Sequence, residues 1–443
     1  MRIELEATSS RRRRRRRRAA RPLPILAGGR PPRRQRRGFL GPAAALLAVL
    51  VVVAGAYVAF ALLRSLPAPS VSPLSVMVSA TPAHSAALPA WPAQGEAAVG
   101  IEGQGLLGIH GAQRPVAIAS VTKIMTALIV LTDHPLRGSQ SGPAITITPA
   151  DTSVYRADAA AGQSVLPVRA GERLTERQAL EGLLLPSGNN IATLLAAWDA
   201  GRQSTFVARM NARARALGLT HTHYTGASGV AAATVSTAED QTRLAEAAMA
   251  NPVFRAIVAM PQATLPVAGR QYNVDALLGH DGIVGIKTGT TSNAGGCFVF
   301  AARRRVGRST RMIIGAVLGQ RPSRGDPSII TAAFRATTRV LGSLTRVLRP
   351  VTVVSRGSTL GQLRTPWNGS VPLSAARPVT VTALRTPTPT VRLLAPARIR
   401  FPLRAGAPVG RAVVSAAGHS ATVELLAAKA VPAASAGWRL RHP

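Results

Sequence analysis

The sequence predicts an α+β domain built on an antiparallel sheet, preceded by a membrane-spanning helix and followed by a small all-β module. Three observations carry this expectation. Phe39 to Leu63 is a run of 25 residues without a charge, which at about 1.5 Å per residue crosses a hydrocarbon core of about 30 Å with some tilt. From Trp91 to Val347, strand-like runs stand at both ends of a helical middle, the order expected when the two ends of a domain meet in one sheet. Beyond Pro350 the texture becomes short Val/Thr/Leu alternations separated by Gly and Pro, such as VTVVS, VTVTAL and ATVELL.

The N-terminal elements follow from charge. Of a formal net charge of +36, residues 1–38 hold 15 arginines against 2 glutamates, with Arg11 to Arg18 unbroken. Only Arg64 closely follows the apolar run, so the positive-inside bias keeps the N-terminus in the cytoplasm and exports the rest. Ala59-Phe60-Ala61 loosely fits a signal-peptide cleavage site, but the apolar region is too long and the basic region too large for one. An uncleaved anchor is expected. The arginine run lacks interleaved aromatics and abuts the span, which argues for contact with anionic lipid and against a specific nucleic-acid partner. Ser65 to Leu88, rich in Pro, Ser, Ala and Val, reads as an extended linker that lifts the next domain off the bilayer.

Within the main domain, EAAVGI and GLLGIH read as a hairpin turned at Glu102-Gly103-Gln104. VTKIMTALIVLTDH is apolar almost all round, the mark of a helix buried in a core. Apolar residues spaced three and four apart predict helices over 175–185, 190–199, 206–217 and 237–249. Strands are expected at 283–290, 296–303 and 311–318, the last two joined at Gly307, and a final helix over 329–347.

Candidate chemistry begins with lysine usage. The chain has 51 arginines and only three lysines, Lys123, Lys287 and Lys429. Arginine is always protonated, whereas a desolvated lysine amine can be neutral. Lys123 lies three residues after Ser120 at the start of the apolar helix, within side-chain reach on one face. There a neutral amine could accept the Ser120 proton as the hydroxyl attacks a carbonyl, with helix N–H groups facing a developing oxyanion. A helix cap followed by a surface lysine is the plainer reading, and the apolar surroundings of Lys123 fit it poorly. Pro186 to Asn190, PSGNN, is a tight turn between two helices whose residues also suit ordinary capping. Gly285 to Thr291, GIKTGTT, offers a cation and a hydroxyl on a strand edge where Gly289 would leave room for an extended ligand. A lysine guarding an ordinary edge strand fits the same residues.

Together, in this order and spacing, Ser-x-x-Lys, Ser-x-Asn and Lys-Thr-Gly resemble the low-molecular-weight penicillin-binding, serine-type D-alanyl-D-alanine carboxypeptidases, peptidase family S11, relatives of the serine β-lactamases. RAGERLTERQALEGLLLPSGNNIATLLA, FVARMNARARALGLTHTHYTGASGV, STAED and DGIVGIKTGTTSNAGGC look like family blocks in family order. The resemblance spans roughly Glu96 to Leu318. It implies a β-lactamase/transpeptidase-like fold, with an antiparallel sheet and a helical subdomain. It also implies a serine hydrolase that trims peptidoglycan stem peptides ending in D-Ala-D-Ala, is acylated by β-lactams, and needs no metal or other cofactor.

By matched position, Ser120 would be the nucleophile, Lys123 its base and Ser187 a proton relay. Asn189 would hold Lys123 and the substrate amide. Lys287, helped by Thr288 and the unobstructed Gly289, would bind the terminal carboxylate, and the N–H groups of Ser120 and Thr290 would form the oxyanion hole. The implied division is a tail at 1–38, an anchor at 39–63, a linker at 64–88, the penicillin-binding domain at 89–348, a β-rich domain at 349–432 and a tail at 433–443. Asn190 stands where relatives often have Asp, and is expected to tune helix capping. The final SAGWRLRHP is too short for the C-terminal amphipathic anchor of many relatives, so the N-terminal helix would replace it.

Other chemistries fit less well. His221 and His223 would share a strand face, but no nearby Cys, Asp or Glu completes a metal set. Cys297 lies in an expected buried strand, as core rather than reactive thiol. A β-lactamase of the best-known class places a Glu-x-x-Leu-Asn element between the second and third motifs. Here Glu239 and Glu246 are the only glutamates in that interval, and neither begins it. Endopeptidase or transpeptidase activity would use the same site. A non-catalytic wall-binding protein is disfavoured by three intact motifs.

Overall fold

The computed structural model describes residues 41–74, 89–324, 328–384 and 387–442. The arginine-rich tail and most of the expected linker lie outside the described residues. The chain forms two compact units, residues 1–65 with 436–443, and residues 66–435.

In the first unit, α1 (Gly41–Leu63) occupies the charge-free run. The C-terminal residues form a short helix, α10 (Ala436–Arg441), where only a tail was expected. Arg439 Nη1 donates to Leu62 O (2.8 Å) and Arg64 O (3.3 Å), and Tyr57 Oη donates to Leu440 O (2.6 Å). Leu62 O is one of the carbonyls that a helix end leaves without an intrahelical donor.

The second unit opens with a departure from the linker reading. Ser70–Pro73 is a strand, β1, pairing antiparallel with a strand of the C-terminal module. The main domain follows: β2 (Glu96–Ile101), β3 (Gly105–His110), β4 (Val116–Ala117), a 3₁₀ turn (Ala119–Thr122) and α2 (Lys123–Asp133). A helical lobe comes next, with β5 (Ala144–Thr146), α3 (Pro149–Ala160), β6 (Arg173–Thr175), α4 (Glu176–Leu184), α5 (Asn189–Ala200), α6 (Gln203–Ala216), β7 (Val235–Ser236), α7 (Ala238–Met249) and α8 (Pro252–Val258). Its helix starts are written in the sequence. Thr148 with Asp151 and Thr175 with Gln178 form reciprocal capping boxes, and Thr237 and Asn251 cap α7 and α8.

A short hairpin, β8 (Gln262–Leu265) and β9 (Gly269–Tyr272), leads to β10 (Ile283–Thr291), β11 (Gly295–Val306), β12 (Ser309–Gln320) and α9 (Ile329–Val347). These strands complete an antiparallel sheet ordered β10-β11-β12-β2-β3, so both ends of the domain do meet in it. Both faces are covered, and β11 shows how. Cys297, Val299 and Ala301 join the core under the helical lobe, while Phe298, Phe300 and Ala302 join the core under α9. A strand's period of two thus divides one apolar run between two cores. β10, which carries the Lys-Thr-Gly motif, is left at the sheet edge.

The C-terminal module contains β13 (Arg349–Val354), β14 (Thr359–Thr365), β15 (Gly369–Ala375), β16 (Val379–Ala383), β17 (Thr390–Leu394), β18 (Pro408–Ala416) and β19 (His419–Ala427). Six strands form one sheet, β1-β14-β15-β19-β18-β17, around a core including Leu363, Leu373, Val414 and Leu425. It is the all-β module the sequence predicts, plus the borrowed strand β1.

Candidate active site

The turn before α2 is held in an unusual conformation. Ala119 has φ +49°, a left-handed value uncommon for a side-chain-bearing residue. Thr122 Oγ1 donates to Ala119 O at 2.8 Å, closing the 3₁₀ turn on which Ser120 sits half-buried. Gly229, at φ +82°, packs so close that a Cβ there would overlap Ala119 O and Thr122 Oγ1.

Lys123 is the first residue of α2 and is 0 % exposed. Its Nζ lies 2.8 Å from Ser120 Oγ, 2.6 Å from Asn189 Oδ1 and 3.1 Å from Ser228 O. Burial holds its pKa well below the ordinary value, and the neighbouring Lys287 lowers it further, against an opposing pull from Asp158. A neutral amine has two N–H donors and one lone pair, and the three contacts match that count. The N–H groups can donate to Asn189 Oδ1 and Ser228 O, leaving the lone pair to accept from Ser120 Oγ–H.

Asn189 begins α5 after Gly188. Its Nδ2 donates to Gln163 Oε1 at 2.7 Å, which fixes the amide with Oδ1 toward Lys123. Ser187 adopts φ +67°, a conformation that costs a non-glycine residue about 1–3 kcal/mol. Its Oγ is buried without a hydrogen-bond partner among the described residues. Asn190 does not cap α5. It exchanges both bonds with one backbone residue, donating from Nδ2 to Leu166 O and accepting at Oδ1 from Leu166 N, each at 2.9 Å. Its work is to hold the 164–166 segment, and the capping expectation is corrected accordingly.

On β10, Lys287 and Gly289 stand opposite Val299 and Cys297, on the face turned to the helical lobe. A Cβ on Gly289 would lie 2.8 Å from Ile118 O, 3.0 Å from Val121 N and 3.1 Å from Ser120 N. The glycine therefore serves the approach of strand to nucleophile turn, beyond any room it leaves for a ligand. Lys287 is 1 % exposed and its Nζ has no hydrogen-bond partner among the described residues. Burial lowers its pKa to about 7 despite the attraction of Asp275. Thr288 is nearly buried and Thr290 exposed at the strand end.

Hydrogen-bond distances thus join Ser120, Lys123 and Asn189 into one cluster, and Gly289 packs on it. Ser187 Oγ and Lys287 Nζ are buried polar atoms that the cluster does not satisfy. Four contributors were not singled out from sequence: Gln163, Asp158, Asp275 and the carbonyl of Ser228. Only Ser228, in the GASGV block, left a signal there. The other candidates are committed elsewhere. Glu239 pairs with Arg243, Glu246 Oε1 accepts from Gly103 N, and His221 Nδ1 lies 3.2 Å from Thr220 Oγ1. Cys297 is fully buried, and burial raises its pKa to about 11.

Residues 91–321, just over half the chain, match the family model described as D-alanyl-D-alanine carboxypeptidase, Peptidase S11. The chain is 40% identical over 208 residues to a D-alanyl-D-alanine carboxypeptidase of Mycobacterium tuberculosis, DacB2, covering 45% of this chain and 66% of that one. It is 33% identical over 246 residues to a D-alanyl-D-alanine endopeptidase of Pseudomonas aeruginosa, covering 53% and 76%. The crystal structure of the Streptomyces K15 DD-transpeptidase is similar in fold at TM-score 0.50 and 30% identity, over 58% of this chain and 98% of that one. With the motif residues gathered as described, the chain belongs to the D-alanyl-D-alanine carboxypeptidase family, peptidase family S11.

Proposed function

We propose that the chain is a membrane-anchored serine D,D-carboxypeptidase that removes the terminal D-alanine from peptidoglycan stem peptides through an acyl-enzyme on Ser120. The observation that carries this reading is the buried Lys123 amine, within 2.8 Å of Ser120 Oγ and 2.6 Å of Asn189 Oδ1. An extended peptide would lie along the free edge of β10, its terminal carboxylate drawn to Lys287 and Thr288. Lys123 takes the hydroxyl proton as Ser120 Oγ adds to the penultimate carbonyl carbon, and the N–H groups of Ser120 and Thr290 receive the oxyanion. As the C–N bond breaks, Ser187 relays the proton held by Lys123 to the departing D-alanine amine, which leaves Lys123 neutral again. Lys123 then takes a proton from water as the water oxygen adds to the acyl carbonyl, and returns it to Ser120 Oγ as the ester bond breaks and the shortened peptide leaves. A β-lactam enters the same first step, its ring amide opening onto Ser120. The commitments of Glu239 and Glu246 leave no glutamate of that interval for a deacylating water, which favours slow release of the penicilloyl group.

In this reading α1 spans the membrane, with residues 1–38 in the cytoplasm beside anionic lipid and the enzyme outside. The relatives' names favour a second outcome at the same acyl-enzyme, transfer to an amine or cleavage of a cross-link. Mass spectrometry after incubation with a pentapeptide ending in D-Ala-D-Ala tests the reading. Loss of one alanine, abolished by Ser120→Ala, supports it; an unchanged pentapeptide refutes it. Added acceptor amine or cross-linked dimer reports the second outcome.

A further inference from the structure

The C-terminal module carries a charge that the chemistry at Ser120 does not use. Residues 349–432 contain ten arginines and one lysine against a single acid, Glu424. Three of these arginines, Arg398, Arg400 and Arg411, line one cavity of about 420 Å³, with Ile399, Leu403 and Glu424 among its other walls. Arg398 and Arg400 come from the loop between β17 and β18, and Arg411 from β18 directly across from Glu424. All three are exposed. Among the described residues none of the three guanidiniums has a hydrogen-bond or ion-pair partner, so their donors are available to a ligand. Unpaired guanidiniums converging on a concave surface suit the oxygens of a phosphate, which they can grip two at a time.

Chain connectivity says which phosphate is in reach. Six residues, Arg64 to Pro69, separate the end of α1 from β1, a tether of about 25 Å at full extension. β1 then enters the module's own sheet, with Ser70 opposite Arg364. The sheet curls so that its far strand comes close: Gly361 of β14 faces both Ser72 O and the side chain of Leu393 on β17. The arginine cavity is thus built on the strand pair that curls toward the tether.

We propose that the Arg398–Arg400–Arg411 cavity binds the phosphate of anionic phospholipid headgroups and so holds the β module on the bilayer surface. A phosphodiester wall polymer offers the same chemistry, and the short tether favours the lipid. The proposal rests on the reading of α1 as a span. At about 1 kcal/mol for each arginine near an anionic surface, three arginines shift the docked-to-undocked ratio roughly a hundredfold.

The test uses the full chain in vesicles of phosphatidylcholine, with or without phosphatidylglycerol, carrying a headgroup quencher. A dye is placed on Ala397→Cys, with the buried Cys297 as the one competing thiol. Quenching that rises with phosphatidylglycerol, falls with added salt and is lost in R398Q/R400Q/R411Q is expected. Equal quenching in both lipids, or in the triple variant, overturns the proposal. So does a dye response to soluble poly(glycerol phosphate) with none to phosphatidylglycerol. Circular dichroism and limited proteolysis of the triple variant report that its β module, which has its own core, is folded; should it not be, the lipid comparison on the unmutated cavity decides alone. Co-flotation with vesicles at high salt tests the span separately, so failure of α1 and failure of the cavity are distinguishable.

Discussion

Replacing Gly289 by alanine isolates the approach of β10 to the nucleophile turn. The backbone there needs no left-handed φ, so the added methyl acts through space alone. It would stand 2.8 Å from Ile118 O and about 3 Å from two backbone nitrogens, against an ordinary contact of about 3.5 Å. None of the three atoms belongs to a flexible side chain. The strand and the turn must therefore separate by about 0.5–0.7 Å to restore contact distance. Displacements of about 1 Å in a catalytic constellation cost about 10²-fold, so acylation by fluorescent penicillin should slow about 10- to 100-fold in Gly289→Ala. The fold should survive, with a loss of about 1–3 kcal/mol in chemical denaturation. The assay is the second-order labelling rate at fixed temperature, read beside the denaturation midpoint. Undiminished labelling in a stably folded variant would refute the claim that this glycine sets the strand against Ser120.

Three further outcomes are expected. Lys123→Arg should lose about 10²–10⁴-fold in acylation, because a guanidinium stays protonated and cannot act as the neutral base; penicillin labelling checks this, with Lys123→Met as a neutral control for folding. Lys287, its pKa lowered to about 7, loses its proton as pH rises through that value. kcat/KM for peptides with a free terminal carboxylate should fall on that limb, while the methyl esters should not show it and Lys287→Ala should abolish it. The same lowered pKa makes the unfolded chain bind more protons between about pH 7 and 10.5, so Lys287 makes stability rise with pH across that window, a contribution absent from Lys287→Met. Asn190→Ala strands both polar groups of Leu166 and should cost about 2–5 kcal/mol in urea unfolding, with labelling per folded molecule retained.

How much was legible in the sequence depended on the kind of signal. The hairpin EAAVGI/GLLGIH, the helix over 329–347 and the strand at Ile283 were readable because alternation and three-four spacing persist over whole elements. α3 and α8 were not anticipated: α3 buries no residue completely, so its pattern is weak, and α8 is only seven residues long. β1 was hidden because an edge strand rich in Ser and Pro gains its partner from residues nearly 300 positions away. At the site, the three motifs carried the identity of the cluster. The Gln163 bond to Asn189 and the Ser228 carbonyl depend on loop geometry that spacing does not encode. The lowered pKa of Lys287 was not legible because burial, which sets it, is a property of the packed strand.

The claim on which the chemistry depends is an uncharged Lys123 beside Ser120, and the lysine poverty of the chain makes it directly measurable. With ¹³Cε-labelled lysine, the protein gives three side-chain signals, assigned by Lys123→Arg, Lys287→Ala and Lys429→Arg. An NMR pH titration should show the Lys123 signal at its deprotonated position at pH 7, its transition displaced well below the ordinary lysine range. A Lys123 signal that keeps the ammonium position up to pH 9 or beyond would contradict the account.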